Sequence, residues 1–134
     1  MSGEVGAALR ILLVEDEPAN RALVRAILER AGRRLGPVTL REAATIADAR
    51  AALAEGPVDL ALIDVRLPDG SGLDLAAELR AGEAPPRIAV LSASVLPADQ
   101  SVALAAGADE FFGKPFGAAD LVDLVGRLVP RTGT

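Results

Sequence analysis

Short apolar runs alternate along this chain with longer segments in which apolar residues recur at helical spacing. Arg10–Glu15 reads as a first strand. Pro18 suits a first helical turn, and Leu23, Ile27 and Leu28 then line one face of a helix that Gly32 stops. A turn at Leu35-Gly36-Pro37 leads to a second strand, Val38–Glu42. Thr45 is a good N-cap for a helix through Ala54, closed by Gly56-Pro57. A third strand, Asp59–Asp64, precedes a helix over Gly72–Ala81 that ends before Gly82 and the Pro85-Pro86 break. Arg87–Ser92 is a nearly continuous apolar run, as expected of a parallel strand covered on both faces. A helix over Ala98–Ala106 stops at Gly107, and Glu110–Gly113 is a short fifth strand. Leu121, Val122, Leu124, Val125 and Leu128 mark a last helix before Pro130. Five strand–helix units predict an α/β fold of parallel strands and crossover helices. No repeat, low-complexity tract or linker interrupts them. Residues 1–134 therefore read as a single domain with a core of about 9–129 and short flexible ends.

Composition narrows the possible chemistry. A chain of 134 residues can bury one well-filled core, and 51% hydrophobic with 25% charged residues excludes a disordered chain. With 2% aromatic residues, the core must be built from Ala, Leu, Val and Ile. A net charge of −5, and no basic cluster longer than Arg33-Arg34, argue against a nucleic-acid surface. The absence of cysteine excludes disulfides and thiolate metal sites. The absence of histidine excludes a phosphohistidine or an imidazole base, so any phosphoryl chemistry must use a carboxylate or hydroxyl. No apolar run approaches the length of a membrane span, and no signal peptide opens the chain. The expectation is a soluble, cytoplasmic protein that does not associate with membranes.

The candidate site residues stand at strand ends. Asp64 closes the apolar run from Val58, just before the turn Leu67-Pro68-Asp69-Gly70-Ser71-Gly72, where a carboxylate is costly to desolvate unless it is compensated. Glu15-Asp16-Glu17 follow the first strand, and Lys114 follows the fifth. In alternating α/β folds the strand ends gather along one edge, where ligands bind. The result is a carboxylate cluster with one fixed cation, suited to a divalent metal and a phosphoryl group. Mg²⁺ is usually held by one or two carboxylates, waters and phosphate oxygens. Two carboxylates about 4 Å apart repel by roughly 4 kcal/mol at an effective dielectric near 20, so three need a cation or a bound proton. Phosphoryl transfer asks for in-line placement and charge neutralisation, which the metal, Lys114, the Ser92 hydroxyl and loop N–H groups can supply. The plainer readings are a solvated turn aspartate, a surface lysine and a strand-end serine capping a loop. Glu17 is best explained as charge at a helix N-terminus. Phe111 and Phe112 are adjacent on a strand and face opposite ways, so one should be core and the other free to move.

Leu12-Leu-Val-Glu-Asp-Glu-Pro18, Leu62-Ile-Asp-Val-Arg-Leu-Pro-Asp-Gly-Ser-Gly72, Val90-Leu-Ser-Ala93 and Gly113-Lys-Pro-Phe116 together resemble the signature segments of bacterial response-regulator receiver domains. That resemblance implies a doubly wound, flavodoxin-like (βα)5 domain with a parallel sheet of order 2-1-3-4-5. It implies a two-component or phosphorelay phosphoacceptor with Asp64 as the acceptor. Asp16 and Asp64 would ligate Mg²⁺ (or Mn²⁺) directly, Glu15 through water, and Arg66 through its backbone carbonyl. Lys114 would pair with Asp64 and then with a phosphate oxygen, its bond to Pro115 being cis. Ser92 and Phe111 would be the switch pair, and Arg66 and Ser94 would modulate the life of the acyl phosphate. The implied partners are a histidine kinase or histidine phosphotransfer protein, and a downstream protein meeting the fourth helix, fifth strand and fifth helix. The protein itself would be a monomer or weak homodimer. It would be a signalling phosphoacceptor with self-catalysed transfer and slow autodephosphorylation only, either stand-alone or cut from a hybrid kinase or larger regulator.

Several positions depart from the commoner pattern: Glu15 where Asp is frequent, Ser92 where Thr is, and Phe111, which cannot donate a hydrogen bond as a tyrosine would. The Arg33–Pro37 connection is also longer than typical. A phosphatase of the haloacid dehalogenase type would need a second acid two residues after the nucleophile, where Arg66 stands. A flavin carrier of the same fold would need a phosphate loop where Glu15-Asp16-Glu17 would repel the ligand. A receiver-like interaction module that takes no phosphate is the remaining alternative.

Overall fold

A computed structural model of the chain describes residues 8–93 and 96–128. Strand β1 (Leu9–Val14) leads into α1 (Pro18–Arg30) and a further single turn, α2 (Gly32–Leu35). Strand β2 (Val38–Ala43) leads into α3 (Ile46–Ala54). Strand β3 (Leu60–Asp64) runs into a two-residue ribbon pair, β4 (Arg66–Leu67) and β5 (Gly70–Ser71), and then into α4 (Gly72–Arg80). Strand β6 (Arg87–Ser92) precedes α5 (Pro97–Ala105), and β7 (Glu110–Gly113) precedes α6 (Ala118–Leu128). The five main strands form one parallel sheet in the order β2-β1-β3-β6-β7. Counted along the chain, this is the expected order 2-1-3-4-5.

The apolar runs are the middle of that sheet. Ile11–Val14, Leu60–Ile63 and Ile88–Leu91 are each at most 1% exposed, as strands covered on both faces must be. Alternate residues divide between two core layers. Leu12, Val14, Ala61, Ile63, Ile88 and Val90 meet Ala49 of α3, Leu75 and Ala76 of α4, and Ala103 of α5. Ile11, Leu13, Leu60, Leu62, Ala89 and Leu91 meet Val24, Ile27 and Leu28 of α1 and the apolar face of α6. The period-2 pleat thus distributes the strands between two helical layers, giving a doubly wound fold.

Local signals set most boundaries. Pro18 opens α1, and the Thr45 hydroxyl accepts the Asp48 N–H at 3.0 Å to cap α3. Helix α1 stops at Arg30, just before Gly32 as expected, and the chain then makes a separate single turn through Leu35, which packs against the layer under α1 and α6. That turn ends at Gly36, whose N–H donates to the Gly32 carbonyl at 2.8 Å and whose φ of +77° favours glycine. Part of the Arg33–Pro37 connection is therefore helical. No helix among the described residues is long and apolar enough to cross a membrane.

Candidate functional site

The register of the sheet decides which residues meet. Val14 pairs with Ile63, so Glu15 and Asp64 leave neighbouring strands at the same level. Ser92 pairs with Gly113, and the ladder is extended by the Lys114 N–H, which donates to the Ser92 carbonyl at 2.8 Å. The C-terminal ends of β1, β3, β6 and β7 thus place Glu15 and Asp16, Asp64, Ser92 and Lys114 along one edge of the sheet.

The Lys114 ammonium donates to Glu15 Oε1 at 2.9 Å and to Asp64 Oδ2 at 3.1 Å. The other Glu15 oxygen accepts the Glu17 N–H at 3.0 Å. Glu15, Asp64 and Ser92 are buried, at 2%, 7% and 8% exposure, whereas Asp16 is exposed and leaves the cluster open on its side. Carboxylate oxygens of Glu15, Asp16 and Asp64 all lie within 4.8 Å of one another. The Lys114–Pro115 peptide bond is cis.

Burial pushes the Asp64 carboxyl above its ordinary range; the Lys114 hydrogen bond opposes this and the Glu15 charge adds to it. Its carboxylate also accepts the backbone N–H of Arg66. For Lys114, burial works against the ammonium, but hydrogen bonds and attraction from Glu15 and Asp64 hold its pKa above the usual lysine value. Three carboxylates against one ammonium leave two formal negative charges in a cluster that is exposed only at Asp16. Oxygen ligands of that charge and spacing fit a hard divalent cation.

The remaining candidates are placed less centrally. The Arg66 side chain is exposed at the start of β4. Ser94 lies outside the described residues. Phe111 packs against the layer of α3, α4 and α5, while Phe112 faces the other layer, with its ring centroid 5.1 Å from that of Phe116. The two rings do face opposite ways, but both are half-buried rather than one being core. The reason is that β7 is an edge strand, only partly covered on either face.

Three supporting residues escaped the sequence reading. The Arg21 guanidinium, in the first turns of α1, reaches back to the carbonyls of Glu15 at 2.8 Å and Asp16 at 3.1 Å. Asp69 accepts the N–H groups of Ile46 at 2.8 Å and Ala47 at 3.0 Å, tying the ribbon after Asp64 to the start of α3. Gly72 lies against the backbone of Asp64. The Leu67–Gly72 turn signal hinted at the last two, but no local pattern pointed to Arg21.

Comparison with known proteins agrees with this geometry. A family model described as response regulator receiver domain matches residues 11–126. The chain is 40% identical over 111 residues to the KDP operon transcriptional regulatory protein KdpE of Escherichia coli (strain K12), covering 83% of this chain and 47% of that one. It is 38% identical over 109 residues to the two-component response regulator ORR41 of Oryza sativa subsp. japonica, covering 80% of this chain and 84% of that one. Among solved structures, it matches the receiver domain of sensor histidine kinase PA1611 from Pseudomonas aeruginosa PAO1, which has a magnesium ion coordinated in its active site cleft. The TM-score is 0.80 at 31% identity, covering 93% of this chain and 100% of that chain. The chain spans about half the length of KdpE and of the Pseudomonas aeruginosa transcriptional regulatory protein GltR.

Proposed function

The chain belongs to the response regulator receiver domain family, and from that premise we propose that it is a phosphoacceptor, phosphorylated on Asp64. The observation that carries this reading is the Lys114 ammonium held between buried Glu15 and Asp64 at the open edge of the sheet. An Asp64 carboxylate oxygen attacks the donor's phosphorus. The new P–O bond makes an acyl phosphate, and the bond from phosphorus to the donor breaks, with the donor atom keeping its electron pair. Lys114 neutralises charge on a phosphoryl oxygen, and the Ser92 hydroxyl donates to another. Asp16 and Asp64 directly, Glu15 through water and the Arg66 carbonyl would hold Mg²⁺ or Mn²⁺, which supplies charge neutralisation for the transferring group.

In this reading the donor is a histidine kinase or a histidine phosphotransfer protein, and the domain works in the cytoplasm as a monomer or weak homodimer. Adding a phosphate that demands new donors draws Ser92 inward, and Phe111 follows. The face of α5, β7 and α6 changes as a result and meets a downstream protein target, not nucleic acid directly. Arg66 and Ser94 modulate how long the acyl phosphate lasts. The domain is a signalling element with self-catalysed transfer and slow autodephosphorylation only. The family match over residues 11–126 supports a single receiver unit as the whole of this chain, stand-alone or part of a larger regulator.

Incubation with acetyl phosphate and Mg²⁺ should add one phosphate to the intact mass, and the Asp64→Ala variant should gain none. A variant that still gains it refutes Asp64 as the acceptor. An unaltered protein that gains nothing refutes the function.

A further inference from the structure

Glu15 and Asp16 are neighbours in sequence, and on an extended strand their side chains would point to opposite faces. Here carboxylate oxygens of both lie within 4.8 Å of each other and of Asp64. The chain must therefore turn between them, and something must hold the turn. Their two carbonyls precede the ladder of α1, whose first bond runs from the Arg21 N–H to the Glu17 carbonyl at 3.1 Å. One nitrogen of the Arg21 guanidinium, Nη1, donates to both carbonyls, at 2.8 and 3.1 Å. On its other side, Arg21 Nε lies 3.6 Å from Glu42 Oε1, and Glu42 takes a two-bond fork from Arg25, both bonds at 2.8 Å. Glu42 sits in β2 beside Ala43, whose carbonyl accepts the Glu15 N–H at 2.9 Å. The Arg21 side chain is 21% exposed, so it is held against the protein rather than free in solvent.

We propose that Arg21 is a positioning residue of the divalent-cation site: it locks the backbone of Glu15 and Asp16 so that both carboxylates converge on Asp64, and Glu42 holds the arginine in place. The inference rests on the reading of this cluster as a metal-assisted phosphoacceptor site, and it assigns the cluster's geometry to a residue outside it. Two physical effects of Arg21 have opposite signs. As a nearby positive charge it repels a cation, so its removal alone would tighten binding. As a backbone lock it preorganises the ligands, so its removal weakens binding, as loss of a ligand's supporting partner typically does by about 10–100-fold.

Calorimetric titration of the full chain with Mg²⁺ alone separates these effects. Arg21→Met should weaken Mg²⁺ binding by about 10-fold or more, and Arg21→Lys, which keeps a donor in reach, should recover part of the loss. Unchanged or tighter binding in Arg21→Met overturns the proposal, even if the melting temperature falls. A second readout needs no metal. Amide exchange at Glu17, whose N–H is held by the Glu15 carboxylate, should quicken in Arg21→Met, while the amide of Ile88, bonded to Asp109, should not change. Unchanged exchange at Glu17 likewise overturns it. An unaltered protein that binds Mg²⁺ but takes no phosphate from acetyl phosphate sinks the phosphoacceptor reading and leaves the Arg21 lock standing.

Discussion

Helix α4 begins directly against the backbone of Asp64, because Gly72 has no side chain to keep it away. A Cβ at Gly72 would overlap the Asp64 carbonyl oxygen and come within 2.7 Å of Ile63 Cγ2, while the Gly72 N–H donates to the Val65 carbonyl at 2.7 Å. Leu73 and Asp74 extend the same first turn, and the Ser71 hydroxyl caps it by accepting the Leu73 N–H at 3.1 Å. Helix α4 and strand β3 are thus joined with no space between them.

Replacing Gly72 with alanine should be costly for that reason. The clash is with backbone, which cannot swing aside as a flexible side chain can, and overpacking of this kind destabilises by about 3 kcal/mol. The better helix propensity of alanine offsets only about 1 kcal/mol of it. Gly126→Ala is the matching control: on α6 nothing lies within 4 Å of the added Cβ, so stability should rise by up to about 1 kcal/mol. Urea unfolding followed by circular dichroism reads both, since the chain has no Trp or Tyr to report by fluorescence. Gly72→Ala should also slow labelling by acetyl phosphate.

Removing the ammonium should leave the acids repelling one another. Lys114→Met strips Glu15 and Asp64 of their shared partner, and losing a charge-assisted bond in a half-buried site costs about 2 kcal/mol. Thermal unfolding at neutral pH without metal should show that loss. Adding Mg²⁺ should recover part of it, and at low pH, with the carboxylates protonated, the difference should shrink. Equal stability of variant and parent at neutral pH would show that Lys114 contributes nothing to holding the cluster.

The pH dependence carries a sign specific to Asp64. Its folded pKa is raised above 3.8, so the folded protein binds this proton more tightly than the unfolded chain. That contribution to stability is complete below 3.8 and is lost as pH rises through the raised value. Asp64→Asn should therefore raise the melting temperature of the metal-free protein at neutral pH, and the gain should vanish below about pH 4. Asp69 has the opposite sign. The N–H groups of Ile46 and Ala47 hold its pKa below 3.8, so its contribution is present above 3.8 and lost as pH falls through the depressed value. Asp69→Asn should lower the melting temperature in the neutral range, where that contribution is present, and leave it little changed below the depressed value, so the acid limb flattens. A melting temperature that falls in Asp64→Asn at neutral pH would contradict the burial argument.

Much of this protein was legible from its pattern alone. Short apolar runs bounded by turn signals, such as Leu60–Ile63, read as strands covered on both sides, and the spacing of Leu121, Val122, Leu124, Val125 and Leu128 reads as one face of a helix. Because parallel strands all point one way, residues just past their ends had to share an edge, which made Glu15, Asp16, Asp64, Ser92 and Lys114 readable as neighbours. Local patterning did not show the separate turn Gly32–Leu35 that follows α1, and it misjudged the phenylalanine pair, because nothing local tells an edge strand from a central one. Nor could it specify contacts between residues far apart in sequence. Asp69 binds the N–H of Ile46 across 23 positions, and Lys114 reaches Glu15 across 99. Arg21 folds back onto the Glu15 and Asp16 carbonyls with Glu42 of β2 beside it. Hydrophobic period is set residue by residue, so sequence shows it. Which polar group satisfies which is set by distance in the folded state, and only the assembled sheet and helices decided that.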